Sequence, residues 1–285
     1  MSRFVIFFLL LFVLLNGLFF SSCKKDDNTY HSYNPSIAAT KDYVVGQQMM
    51  VLILNTYFKS ITDSLLLATG RSDIDGAAVY LHGWNSDTLL IRYPSWGAHD
   101  GYGHWRSGDI KVCVDQGILI PDVINQFRFV DFMYDKDTLR VDSLYVQYLG
   151  TVDAQSDMFH VYSDTIRQVF SDSSGTHKFW IQQSFLRFKD VASEFHMPLD
   201  RFEISGVFQG VSREGMSYST NTPEDPALLN QFDCSFLKQG PVSIVFSDTT
   251  NTGSVYFSEA DSCTNQYVFE FDGNPFPAPV YVRKW

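Results

Sequence analysis

No run of lysine or arginine longer than two residues occurs in this chain of 285 residues, which carries 21 basic and 32 acidic side chains. A chain this acidic repels nucleic-acid phosphates and anionic lipid surfaces, so nucleic acid is excluded as a partner class. Nor is there an apolar run of the roughly 20 residues that a bilayer-spanning helix needs. The longest, Phe4 to Leu15, is broken by Asn16 and Gly17. Strings of the types HExxH, CxxC, GxSxG, GxxxxGK[ST] and GxGxxG are all missing, which removes the usual entry points to zinc protease, redox, hydrolase-elbow and nucleotide chemistry. No cofactor is implied, although a convergent catalytic site needs only geometry.

What is present begins with an address. One cation, Arg3, precedes the short apolar run, the pattern of an export signal over residues 1–22 rather than a membrane span. Phe20-Ser21-Ser22-Cys23 resembles the lipobox of bacterial lipoproteins, with Phe20 where an aliphatic residue is usual. That resemblance implies cleavage before Cys23 and acylation of its thiol. Several acyl chains on one residue anchor firmly, since each buried methylene adds about 0.8 kcal/mol. Lys24, Lys25, Asp26 and Asp27 are similar to the charged tags that send Bacteroidetes lipoproteins to the outer face of the outer membrane. The expected partner at this end is membrane lipid, through Cys23. Without residues 1–22 the chain keeps 20 basic against 32 acidic residues, a net charge of −12.

The body that follows has 45% apolar residues and many aromatics, enough for a sizeable core. Residues 23–40 read as lipidated cysteine and tether, polar and interrupted by Pro35. From Lys41, the spacing of Val45, Met49, Leu52, Tyr57, Ile61 and Leu65 predicts a helix ending near Gly70, with Gly46 and β-branched residues weakening it. After Gly76 the period changes to two. Segments at 88–93, 109–114, 177–188, 242–246 and 267–271 read as strands, with no helical crossovers between them. The expected fold is mainly β: two β-sandwich-like domains, 41–196 (with the helix) and 197–285, divided where alternation stops at Asp190 to Asp200.

Glycine-dominated signatures carry a wider resemblance. Ala78-Val79-Tyr80, the strand at Leu89 to Tyr93, and Asp100-Gly101 followed by Arg106-x-Gly108-Asp109-Ile110-x-Val112 resemble a Bacteroidetes lipoprotein family without an assigned activity. Gly206, Gly210, Gly215, Cys234, Gly240 and Cys263 are similar to its second half. The resemblance spans most of the chain and implies no reaction.

Beyond Cys23 only Cys113, Cys234 and Cys263 remain, so in an oxidising envelope one disulfide plus one free thiol is the simplest arithmetic. Cys234 and Cys263 flank hairpin-like segments and are the expected pair, leaving Cys113 reduced and buried. The alternative is two ordinary buried thiols on separate strands, because connectivity does not follow from spacing.

The densest group of chemically capable residues is SWGAHDGYGHWRSGD, residues 95–109. Trp96, His99, Tyr102, His104 and Trp105 are the candidate ligand-binding residues. His99, His104 and Asp100 have metal-binding types but lack a fourth ligand, so no metal site is assigned. As plain structure, the stretch reads as a hairpin loop with left-handed Gly101 and Gly103, both indoles packed on the sheet, and Arg106 paired with Asp109. Ser72-Asp73-Ile74-Asp75-Gly76 lacks the later acids of a calcium loop and reads as a turn.

The leading expectation is a lipid-anchored envelope or surface protein with a non-catalytic interaction or scaffold role. The alternatives are a glycan-binding accessory lipoprotein of a nutrient-uptake system, which needs exposed aromatics; a hydrolase, which needs His99 or His104 beside a carboxylate in a pocket; and a pilus-type subunit with an exchangeable strand.

Overall fold

The computed structural model describes residues 35–82, 87–114, 120–190, 195, 199–247, 252–257, 263, 266–271 and 274–281. The expected export signal, Cys23 and the expected tag at Lys24 to Asp27 lie outside these residues. Among the described residues no helix is long and apolar enough to cross a membrane.

Helix α1 spans Pro35–Ile61, six residues earlier than the periodicity predicts, so residues 35–40 belong to the helix and not to the tether. Proline suits a first helical position, where its missing N–H has no partner to lose. Twenty-one of the 27 residues are buried, more than any single face can supply. A helix buried all round must be surrounded. That also explains why an apolar stripe is only approximate in the sequence. Buried hydroxyls along it turn back on the helix: Thr40 donates to the Ser36 carbonyl, Ser60 to Thr56 and Thr62 to Phe58. A second, short helix, α2 (Ser64–Thr69), starts at Asp63, whose carboxylate accepts the Leu66 N–H at 2.6 Å, and stops at Gly70 with φ 75°.

Strands follow to the end of the described chain: β1 (Arg71–Ile74), β2 (Ala77–His82), β3 (Thr88–His99), β4 (Trp105–Val114), β5 (Ile124–Tyr134), β6 (Asp137–Val141), β7 (Leu144–Asp153), β8 (Ser156–Ser163), β9 (Ile166–Val169), β10 (Thr176–Phe188), β11 (Arg201–Val211), β12 (Ser217–Thr222), β13 (Leu228–Gln231), β14 (Val242–Phe246), β15 (Thr252–Phe257), β16 (Gln266–Phe271) and β17 (Asn274–Tyr281). The chain is mainly β, as the alternation predicts. All pairings are antiparallel and connect one sheet. Asp75 (φ 48°) and Gly76 (φ 76°) make the tight turn between β1 and β2, so the calcium-like string is a hairpin.

The sheet is an up-and-down meander with bends. Thr138 faces Val169 in the β6–β9 pair, and Leu144 faces Ser163 in the β7–β8 pair, one continuous register interrupted near residues 142 and 165. In effect β6–β7 and β8–β9 are two long strands, each bent once, between β5 and β10. The division into two sandwich-like domains is not seen in the sheet. β10 and β11, on either side of the expected boundary, pair from Lys178↔Val211 to Phe188↔Arg201, and residues 36–285 form one compact unit.

The sheet curves around α1, which touches strands far apart in its order. Tyr43 packs edge-on against Phe208 of β11 and Tyr57 against Phe127 of β5, while Phe58 lies tilted against Phe159, Phe185 and Phe202 of β8, β10 and β11. The helix occupies the place where two sandwich layers would meet. Gly46 lets helix and sheet come close: a Cβ there would lie 2.9 Å from the buried His177 ring on β10, so the residue that weakens the helix by propensity is required by packing.

Candidate functional site

Of residues 95–109, most belong to the ends of β3 and β4, and only residues 100–104 form the connecting loop. Asp100 organises that loop. Its Oδ1 accepts the backbone N–H groups of Tyr102 (2.8 Å) and His104 (3.0 Å), while Oδ2 lies 2.5 Å from the Arg106 guanidinium. Gly101 and Gly103 are left-handed, at φ 80° and 92°, as expected.

Arg106 is fully buried and does not pair with Asp109; that carboxylate instead takes two hydrogen bonds from Arg92 on the outer face. The reason is alternation: Arg106 faces inward on β4, where Asp100 is the available anion. Arg106 also donates to Thr56 Oγ1 and Tyr93 Oη, both at 3.0 Å, and to the Leu52 carbonyl at 3.2 Å. A buried cation is tolerable when paired and hydrogen-bonded in this way. Lys59, in the last turn of α1, joins the same cluster by contacting Asp75 at 2.8 Å and donating to Tyr102 Oη at 2.5 Å. Burial raises the pKa of Tyr102, and the Asp75 charge adds to the effect.

The candidate ligand-binding residues therefore separate. Tyr102 and His104 are buried; His104 Nδ1 is 2.6 Å from Asp135 Oδ2, and Asp135 Oδ1 accepts the Trp105 N–H at 2.7 Å. These two residues hold the hairpin and cannot offer a surface. His99, Trp96 and Trp105 remain outside. Trp96 is 79% exposed, contrary to the expectation that both indoles pack on the sheet, and Trp105 is 38% exposed. Trp105 lies over Gly97, where any Cβ would collide with the indole, and its ring meets His99 edge-on at 4.7 Å. Gly97 thus gives Trp105 a place to lie flat.

A cleft of about 310 Å³ opens beside the cluster, lined by Lys59, Asp73, Asp75, Phe232 and Asp233 among others. A second, of about 440 Å³, lies on the outer face of β7, β8 and β10. His104, which has the carboxylate neighbour a hydrolase would need, lines neither. Among the described residues no group of three or more His, Cys, Asp or Glu is placed to hold a metal ion.

Cys234 and Cys263 are joined, with Cα atoms 5.5 Å apart and a sequence separation of 29, tying the segment before β14 to the one between β15 and β16. Cys113 is free but exposed, not buried. It shares the outer face of β4 with Lys111, because Val112 and Val114 take the inner positions.

Sequence reasoning missed the polar partners along α1, namely Gln47 with Gln183, Asn55 with Asn230, and Asp42 with Arg213. It also missed the outer cleft, whose signal is the polar and aromatic half of the alternation in Tyr145-Val146-Gln147 and Trp180-Ile181-Gln182. No family model matches this chain, and no curated protein or solved structure matches it either.

Proposed function

We propose that this chain is a lipid-anchored protein of the bacterial cell envelope, of the Bacteroidetes lipoprotein type, with a non-catalytic interaction role. Acylated Cys23 is its anchor, and Lys24 to Asp27 direct it to the outer surface. The observation that carries the reading is the arrangement along α1. The chain enters the helix at Pro35, whereas the β3–β4 hairpin with Trp96 and Trp105 is held at Thr56, about 30 Å along the axis at 1.5 Å per residue. A chain that joins the helix at Pro35 and exposed indoles toward its other end suit a displayed contact surface. The titratable groups of the hairpin support a binding role over a catalytic one, because Asp100, His104, Arg106 and Asp135 are engaged in holding it.

Two measurements test this. Cys23→Ala should abolish incorporation of labelled fatty acid and leave the precursor uncut; normal labelling would end the anchoring claim. Replacing residues 24–27 by alanine should protect the protein from protease added to intact cells, and undiminished digestion would place the address elsewhere.

A second reading, a glycan-binding accessory lipoprotein, is favoured by the exposure of Trp96 and Trp105, since flat indole faces stack on sugar rings.

A further inference from the structure

The outer cleft has a structural cause. Pairing of β10 with β8 ends at Gln182↔Tyr162, and pairing with β9 resumes at Phe179↔Ile166. Trp180 and Ile181 therefore have no strand partner on that side. Ser163 Oγ takes the Ile181 N–H at 3.0 Å, and the bend between β8 and β9 leaves a depression. It is lined by Gln147, His160, Tyr162, Ser163, Trp180 and Gln182, together with Ile181, whose side chain is otherwise buried. At about 440 Å³ it falls inside the roughly 300–1,000 Å³ range of small-ligand sites.

Its chemistry is distinctive for this molecule. None of those side chains carries a fixed charge, in a chain with a net charge of −11. Burial lowers the His160 pKa from its ordinary value, which keeps the ring neutral at neutral pH. Three rings form a strip: Tyr145 and Tyr162 stack at 5.0 Å, and His160 lies against Tyr162 at 5.2 Å. Across the depression stands Trp180, 39% exposed, with its indole oriented by a 2.9 Å hydrogen bond from Nε1 to Gln209 Oε1. Gln147 and Gln182, one on each side, each offer two N–H donors and a carbonyl acceptor.

We infer that this cleft binds a neutral oligosaccharide, with a sugar ring stacked on Trp180 and its hydroxyls held by Gln147, Gln182 and His160. Apolar C–H faces beside paired hydroxyls are what flat aromatics and side-chain amides complement together. A charged partner would find no counter-charge in the lining, and a purely apolar one would leave the amides unpaired. The ligand class rests on the glycan-binding reading; the place does not, because the cleft lies on strands remote in sequence from the Trp96 hairpin.

The test uses the full-length protein in detergent and a panel of linear neutral oligosaccharides three to six units long: β-1,4-glucan, α-1,4-glucan, xylan and mannan. Oligogalacturonate serves as the acidic counterpart. Binding is followed by calorimetry and tryptophan fluorescence. At least one neutral member should bind in preference to oligogalacturonate. Trp180→Ala should weaken it tenfold or more and Gln182→Ala by a smaller factor, while Leu67→Ala, an exposed side chain on α2 that lines neither cleft, should leave it unchanged. Near-UV circular dichroism confirms that each variant is folded, and Trp180→Phe serves if Trp180→Ala is not. Binding lost in Trp96→Ala but kept in both Trp180 variants overturns the cleft while the glycan reading stands. No binding by any neutral member overturns both.

Discussion

Truncating Arg106 would leave Asp100 buried beside no cation and would release Thr56, Tyr93 and the Leu52 carbonyl at once. Arg106→Ala is expected to cost about 3–5 kcal/mol in urea unfolding, the range for breaking a buried pair by removing one partner. His177 makes a different demand. Buried on β10, it has Nε2 2.6 Å from Tyr218 Oη and, among the described residues, no partner for Nδ1. Burial, assisted by Arg213, lowers its pKa from 6.5 to about 3. A depressed histidine pKa contributes stability that is complete above pH 6.5 and is lost as pH falls toward 3, because the unfolded chain takes up the proton first. Between pH 7.5 and 5 the unfolding free energy should fall by about 2 kcal/mol. His177→Gln should flatten that slope, and an unchanged slope would show that other groups control it. Neither role was visible in the sequence, where Arg106 is one more loop cation and His177 a residue at a strand start. What decides them is which face of the strand points at α1.

At the scale of elements, the strands were legible wherever one side was apolar and the other polar, as in β4, β10 and β14. The helix was legible in type but not in extent. A helix surrounded on all sides has no wet face to mark its period, and its polar residues look like interruptions until their partners are seen. Asn55 and Asn230 exchange amide hydrogen bonds at 2.7 and 3.3 Å, and Gln47 and Gln183 do the same at 2.8 and 3.2 Å, all inside the core. Each pair crosses from α1 to the sheet, so a rotation or slip of the helix would leave four amides unpaired. Asn55→Leu alone should cost about 1–3 kcal/mol by stranding the Asn230 amide. Adding Asn230→Leu should restore part of it, with a coupling of at least about 1 kcal/mol in a double-mutant cycle; strict additivity would deny the pair its role in register.

For the molecule as a whole, the expected boundary near residue 196 rested on a loss of alternation in the sequence, while β10 and β11 on either side of it are paired with each other. Local pattern does not report whether a sheet continues across a loop. The Cys234–Cys263 bond acts at this scale too, because it fastens the segment between β15 and β16 to the one before β14. Its closed loop restricts the unfolded chain by about 3.5 kcal/mol in the entropic model. A Cys234→Ser, Cys263→Ser double variant should lose stability of that order by denaturant melting. In hydrogen exchange the amides of β14 to β16 should lose protection before those of β10 and β11; uniform loss would mean the sheet opens as one piece.

The enclosure of α1 sets a timetable for assembly. In synthesis the helix is among the first parts of the body delivered, yet Asp42 waits for Arg213, 171 positions later, and Asn55 waits for Asn230, 175 positions later. Until those strands arrive, a segment rich in Met, Leu, Ile and Val has nothing to cover it. Contacts so distant along the chain slow folding and prolong the exposure of sticky intermediates. This early segment is thus among the last to be satisfied, and a chaperone that holds nascent chains would find its longest-lived handle between Pro35 and Ile61.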